Sequence, residues 1–206
     1  MSVGGGRPTS VAESTRGSRR IVVLGMMTKM PVPGVLWQTV HYLVGLQRLG
    51  YDVTYVEAHA RTPSMFTREP GDPGSRPAAG FLHDVLSRFG FGDRWAFHAL
   101  HDDGACYGMD LGRLRRAYAE AEALLNLHGG TRPLPEHVAT GRLVFVCTDP
   151  CQLEVELWEG RVETREFLEA HRVHFTFGEN YGGPDCGLPV TDRFHLMPTR
   201  QPVVPD

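Results

Sequence analysis

Ile21–Gly25 is an unbroken apolar run rich in β-branched residues, the pattern of a strand buried on both faces. From Gly34 to Leu49 the period changes: Leu36, Val40, Leu43 and Val44 fall at helical spacing, and Gly50 supplies the usual glycine stop. Tyr51–Val56 is apolar and β-like again. Strand, helix and strand in this order predict a right-handed β-α-β unit. Residues 62–80, TPSMFTREPGDPGSRPAAG, are dense in proline and glycine and predict a surface loop.

Phe81–Phe89 then predicts a short helix, with Phe81, Val85, Leu86 and Phe89 apolar, and Trp95–His98 a strand. Asp110–Ala123 predicts a helix with Leu111, Leu114, Tyr118 and Ala121 along one side. Leu124–Leu127 reads as a short strand, Glu136–Ala139 as a helical turn, and Leu143–Cys147 as another apolar strand. Cys151–Glu159 and Thr164–His171 are expected helices, and His174–Phe177 the last strand. This alternation predicts an α/β fold: a Rossmann-like, doubly wound, mostly parallel sheet with flanking helices. Its body spans 20–197, between a flexible tail at 1–19 and a linker-like tail, PTRQPVVPD, at 198–206.

Composition narrows the picture. Of 206 residues 41% are hydrophobic, enough for a sizeable core, and the net charge of -3 excludes a polyanion-binding face. Nucleic acid is therefore not an expected partner. The start, MSVGGGRPTSVAESTRGSRR, lacks the apolar core of a secretory signal, and no stretch reaches transmembrane length, so no membrane partner and a cytoplasmic location are expected. Four cysteines are too sparse for a disulfide scaffold; Cys147 and Cys151 form a lone Cys-x3-Cys pair, read as reduced thiols. His98 and His101, and His171 and His174, stand three apart without a third ligand, so no metal is expected.

In an open α/β sheet ligands bind outside the carboxyl ends of the strands. The exits are therefore the candidate site: Met27 and Gly34 after the first strand, Glu57 and His59 after the second, Asn126 and His128, then Thr148 and Asp149, then Glu179 and Asn180. Strands end in polar loops in any soluble protein, so each of these fits a turn as well as a ligand contact. The first loop, GMMTKMPVPG, has neither the G-x-G-x-x-G nor the G-x-x-x-x-G-K-[ST] pattern, and no glycine-rich S-adenosylmethionine loop, so no nucleotide cofactor is expected. Trp37 and His41 lie one helical turn apart on one face, placed either for packing or for the floor of a cleft.

The stretch VLGMMTKMPVPGVLWQTVHYLVGLQRLGYDVTYVE, with RLVFVCTDP and HFTFGENYGGPDCGLP further on, resembles the amino-terminal half of bacterial GT-B glycosyltransferases over nearly all of 20–206. The resemblance implies one half of a GT-B architecture, the acceptor-side Rossmann-like domain. A sugar would pass from a nucleotide sugar to a hydroxyl acceptor, with the donor held by a second domain not contained in this chain. It implies that His41 is the catalytic base and that Met27–His41 line the acceptor pocket. The expected partners are a small-molecule acceptor and either a separate donor-binding domain or a second copy of the chain. Alone, the chain is expected to be inactive. The alternative is a non-catalytic small-molecule-binding or assembly module that retains the fold. An unrelated methyltransferase or reductase on the same fold is disfavoured by the missing glycine fingerprints.

Overall fold

The computed structural model describes residues 19–58 and 62–205. Residues 1–18, most of the expected flexible tail, lie outside the described residues, as does His59. The chain forms an eight-stranded sheet in the order β4-β3-β2-β1-β5-β6-β7-β8. The strands are β1 (Arg20–Leu24), β2 (Asp52–Ala58), β3 (Trp95–His98), β4 (Cys106–Tyr107), β5 (Ala123–Leu127), β6 (Leu143–Cys147), β7 (Val173–Thr176) and β8 (Leu196–Pro198). Every neighbouring pair is parallel except β3 with β4. The strand order reverses between β1 and β5. This is the Rossmann-like, doubly wound arrangement that the hydrophobic pattern predicts.

Helix α1 (Pro33–Arg48) joins β1 to β2, and α2 (Ser75–Arg88) joins β2 to β3. Pro33 opens α1 because its fixed φ suits the first helical turn and its missing N–H has no partner to lose. Both helices bury their apolar stripes on one face of the sheet, where Leu43, Leu82 and Leu86 meet Val23, Tyr55 and Phe97. The opposite face carries α3 (Leu111–Glu120) over Val22, Leu24, Val56 and Leu124. Asp110 caps α3, accepting the Arg113 N–H at 2.9 Å. Three shorter helices, α4 (Pro135–Val138), α5 (Gln152–Trp158) and α6 (Val162–Glu169), follow β5 and β6. Leu153, Leu157, Phe167 and Leu168 of α5 and α6 pack on Phe145 and Cys147 of that same face.

Residues 75–80, expected in a loop, form the first turns of α2. Pro77 sits where a helix needs no N–H donor, and Ala78 and Ala79 are buried, so packing overrides the proline and glycine density. The two-residue β4 was not expected; it is too short to leave a periodic signal. His174–Phe177 is not the last strand, because Leu196–Pro198 adds β8 at the sheet edge. The segment after β8 lies against α1. The Val204 N–H donates to His41 Nδ1 at 3.2 Å, and the Arg48 guanidinium donates to the Pro205 carbonyl at 2.6 Å. No helix among the described residues is long and apolar enough to cross a membrane.

Candidate functional site

The exits of β1 and β2 are closed on each other by buried polar groups. Gly25 passes so near Tyr55 that a Cβ would stand 2.4 Å from the phenol oxygen, which leaves glycine as the fitting residue. The Met27 N–H donates to Tyr55 Oη at 3.2 Å. The Thr28 N–H donates to both oxygens of Glu57, at 3.0 and 3.1 Å, and the Thr28 hydroxyl donates to Oε2. Tyr55 Oη donates to Glu57 Oε1 at 2.6 Å. Burial, and secondly the Glu57 charge, push the Tyr55 phenol well up. Glu57 and Met27 are completely buried, Glu57 as the anchor of the loop and Met27 as a core side chain. Neither side chain reaches solvent. Gly34 is exposed at the start of α1, with open space around it.

Trp37 and His41 do share one face of α1, with ring centroids 6.2 Å apart. Trp37 is half exposed and meets the ring of Phe89, at the end of α2, edge-on at 5.7 Å. His41 is turned to the chain terminus through Val204. The two residues therefore stand on the helix flank of the sheet.

Between β1 and β5, where a Rossmann-like sheet ordinarily opens its ligand crevice, the protein fills the space itself. Gly130 is pressed onto Met26, where a Cβ would come within 2.4 Å of the Met26 Cβ. Thr131 Oγ1 donates to the Gly25 carbonyl at 3.4 Å. Asn126, at the end of β5, is buried beneath this contact and donates from Nδ2 to the Thr131 carbonyl at 2.8 Å and to His171 Nε2 at 3.0 Å. His171 Nδ1 lies 2.7 Å from the Phe167 carbonyl, which can only accept, so the ring is the neutral Nδ1–H tautomer. Burial lowers its pKa to about 4. Asn126 thus organises the loop from a fully buried position.

One gap further along the sheet, the exits of β5 and β6 enclose a cavity of about 380 Å³. His128, Thr148 and Asp149 of the expected site line it, together with Phe145, Gln152, Glu156, Glu163, Thr164 and Phe167. His128 takes a left-handed backbone, φ 63, which turns its ring over the β6 exit. Its Nδ1 lies 2.7 Å from Thr148 Oγ1, while its Nε2 is shut off from water and has no hydrogen-bond partner among the described residues. Burial lowers the His128 pKa to about 4, so the ring is neutral at pH 7. Glu156 is held from both sides, by the Gln152 amide at 2.8 Å and the Thr164 hydroxyl at 2.5 Å. The Thr164 bond first, and the Gln152 bond second, keep its carboxyl below the usual range. Phe145 and Phe167 meet edge-on, centroids 5.2 Å apart, and form the apolar wall.

The turn into α5 sets this geometry. Cys151 stands at φ 144 before the helix, and its N–H donates to Glu154 Oε2 at 2.7 Å. Glu154 is buried beside Cys147, whose thiol is pushed up to about 12 by burial first and the Glu154 charge second. Gln152, Leu153 and Glu156 are thereby left on the cavity side of α5. Glu179 and Asn180 stand exposed, outside the cavity lining; Glu179 pairs with Arg200 at 2.6 Å. A cleft of about 220 Å³ at the opposite, amino edge is crossed by the ion pairs of Arg20 with Asp52 and Glu120.

The structure brings together three of the expected site residues, and the helix side chains that complete the cavity were not expected. Gln152 with Glu156 and Glu163 with Phe167 stand four apart on α5 and α6, a spacing that reads equally as a solvated helix face. Comparison with known proteins found no matching family model and no significantly similar curated protein.

Proposed function

We propose that the chain is the acceptor-binding half of a glycosyltransferase of GT-B type, holding a hydroxyl-bearing small molecule in the cavity at the β5 and β6 exits. In the proposed reaction the bond from the sugar's anomeric carbon to the diphosphate oxygen breaks and one to the acceptor oxygen forms. The acceptor's proton passes to a base and the nucleoside diphosphate leaves. A separate domain or partner holds the donor. The lining of the cavity supports this reading. Hydroxyl, amide, carboxylate and phenyl groups face inward with no lysine or arginine among the described residues, which suits a polyhydroxylated molecule and repels a nucleotide diphosphate. His41 is not given the base role, because its Nδ1 is engaged by the terminal segment.

Calorimetry of the chain against UDP-, GDP- and dTDP-sugars tests the donor side, and NMR titration with neutral sugars and phenolic acceptors tests the acceptor side. No micromolar binding is expected from the nucleotide sugars, and shifts centred on His128, Thr148 and Phe167 are expected from acceptors. A nucleotide sugar bound at micromolar Kd, about -8 kcal/mol, would overturn the assignment.

A second reading, an assembly module, is favoured by one observation. Met30, Val32 and Trp37 are 48%, 45% and 51% exposed around the start of α1. On the α1 face of the sheet, Leu125, Val144, Val173 and Phe175 are only half-buried. Exposed apolar surface of this kind marks association sites. Sedimentation over a wide concentration range tests it; a monomer at every concentration would end this reading.

A further inference from the structure

We propose that residues 199–205 form a detachable strap over the α1 side of the sheet, latched by His41 in its uncharged state. The device is independent of the acceptor site. The two faces of β5–β8 are covered unequally. Helices α3, α4, α5 and α6 stand on one face, where Leu124, Leu143, Phe145, His174 and Leu196 are buried. On the other face α1 and α2 lie over β1–β3, and the alternate residues Leu125, Val144, Val173, Phe175 and Met197 are only half-buried. The register sets Leu125 beside Val144, Val144 beside Val173, and Phe175 beside Met197, an apolar band across four strands.

The chain after β8 bridges that band. β8 ends at Pro198, four strands from β1, a span of about 19 Å. Val204 already lies on α1, and the extended steps from Pro198 to Val204 reach at most about 21 Å, so the segment runs nearly straight across β7, β6 and β5. Its exposure alternates, with Pro202 and Val204 half-buried and Gln201, Val203 and Pro205 exposed, as in an extended segment with one side down. One end is held by the Thr199 N–H on the Thr176 carbonyl at 2.8 Å and by Arg200 on Glu179 at 2.6 Å. At the other end the Val204 side chain packs on Gly45, the Arg48 guanidinium donates to the Pro205 carbonyl, and the Val204 N–H donates to His41 Nδ1 at 3.2 Å. A backbone N–H only donates, so His41 Nδ1 carries no proton; an imidazolium has protons on both nitrogens and cannot accept. Charging His41 therefore removes the latch. The surrounding groups leave the switch to His41. Helix α1 carries no acid, its Arg48 is turned to Pro205, and burial pushes the Tyr42 phenol up to about 12. Arg200, the one charged side chain of residues 199–205, is paired with Glu179. On α2, whose flanking Phe89 meets Trp37 beside His41, Asp84 and Arg88 are exposed.

A pH titration of the full chain by NMR, with a soluble nitroxide reporting access, tests both the latch and the cover. The exchange protection of the Val204 amide is expected to fall about tenfold as the His41 ring titrates, with the same midpoint. Over that step the nitroxide is expected to broaden Val144, Val173 and Phe175 more strongly and to leave Leu124 and Leu143 untouched. Val204→Pro removes the donor and suits an extended segment, and His41→Phe removes the acceptor. Each is expected to show the broadening of the charged state at every pH. Val204 protection that ignores the His41 titration overturns the latch. Constant broadening of Val144 and Phe175 through the titration, or native broadening in both variants, overturns the cover. Broadening that spreads to Leu124 and Leu143 overturns the strap as its cause, because the whole fold has then loosened.

Discussion

The β1–β2 exits and the β5–β6 exits occupy equivalent places along the same sheet edge, yet their polar groups do opposite things. At β1–β2 a carboxylate, a phenol, a hydroxyl and two backbone N–H groups satisfy one another completely, and Glu57 and Thr28 lose all contact with water. At β5–β6 the carboxylates of Asp149 and Glu163 stay exposed around an open cavity, and a histidine nitrogen has no partner among the described residues. Residue type does not separate these cases, since both exits carry an acid, a threonine and an aromatic ring. What separates them is whether the hydrogen bonds close within the protein. A closed set holds a loop; an open set is available to a ligand.

The largest test of this contrast is Glu57→Ala. It strands the Thr28 N–H, the Thr28 hydroxyl and the Tyr55 phenol in a dry interior, and is expected to cost about 3–5 kcal/mol in chemical denaturation. A loss below about 1 kcal/mol would mean that Glu57 is not the anchor. Gly25→Ala comes next, at about 2–3 kcal/mol, because the new methyl meets the buried Tyr55 ring, which has nowhere to move. A stable Ala variant with an unchanged Tyr55 environment would break the close-approach argument.

Acid sharpens the comparison at an intermediate level. His171 and His137 are buried neutral, with pKa values lowered to about 4, mainly by burial. Their folded values lie below the unfolded value near 6.5. The stability they contribute is therefore complete above pH 6.5 and lost as the pH falls towards 4. Denaturation midpoints are expected to drop through that window, with these two histidines and His128, likewise lowered to about 4, each adding up to about one proton to the uptake on unfolding. A flat profile between pH 6.5 and 4.5 would contradict the buried neutral state. The smallest effect belongs to the open exit. Asp149→Asn and Glu163→Gln are each expected to change stability by no more than about 0.5 kcal/mol, because neither carboxylate is buried or paired with another described residue. A loss above about 1 kcal/mol in either would make that carboxylate structural.

Much of the architecture is legible along the chain because burial on both faces of a parallel strand leaves a continuous apolar run. Ile21–Leu24 and Leu143–Cys147 show it directly, and Leu36, Val40 and Leu43 show the change to helical period. The failures have local causes. Two- and three-residue edge strands carry no period, and the prolines and glycines ahead of Phe81 hide a helix start that Ala78 and Ala79 stabilise by packing. Of the candidate site, His128, Thr148 and Asp149 were readable from the rule that ligands gather at strand exits. Glu156, Glu163 and Phe167 were not, because a helix position gives no sign of which neighbouring helix it faces.

The sequence alone determined the alternation of strands and helices, the parallel core strands and the edge of the sheet where polar residues gather. Hydrophobic period is a local property, and each of these follows from it. Only the tertiary structure decided which exit is closed and which is open. That depended on Tyr55 reaching over Gly25, on Met26 settling against Gly130, and on α5 and α6 turning Glu156 and Glu163 toward the ends of β5 and β6. These contacts join residues far apart in the chain, and hydrogen-bond closure depends on distances that no spacing along the sequence encodes.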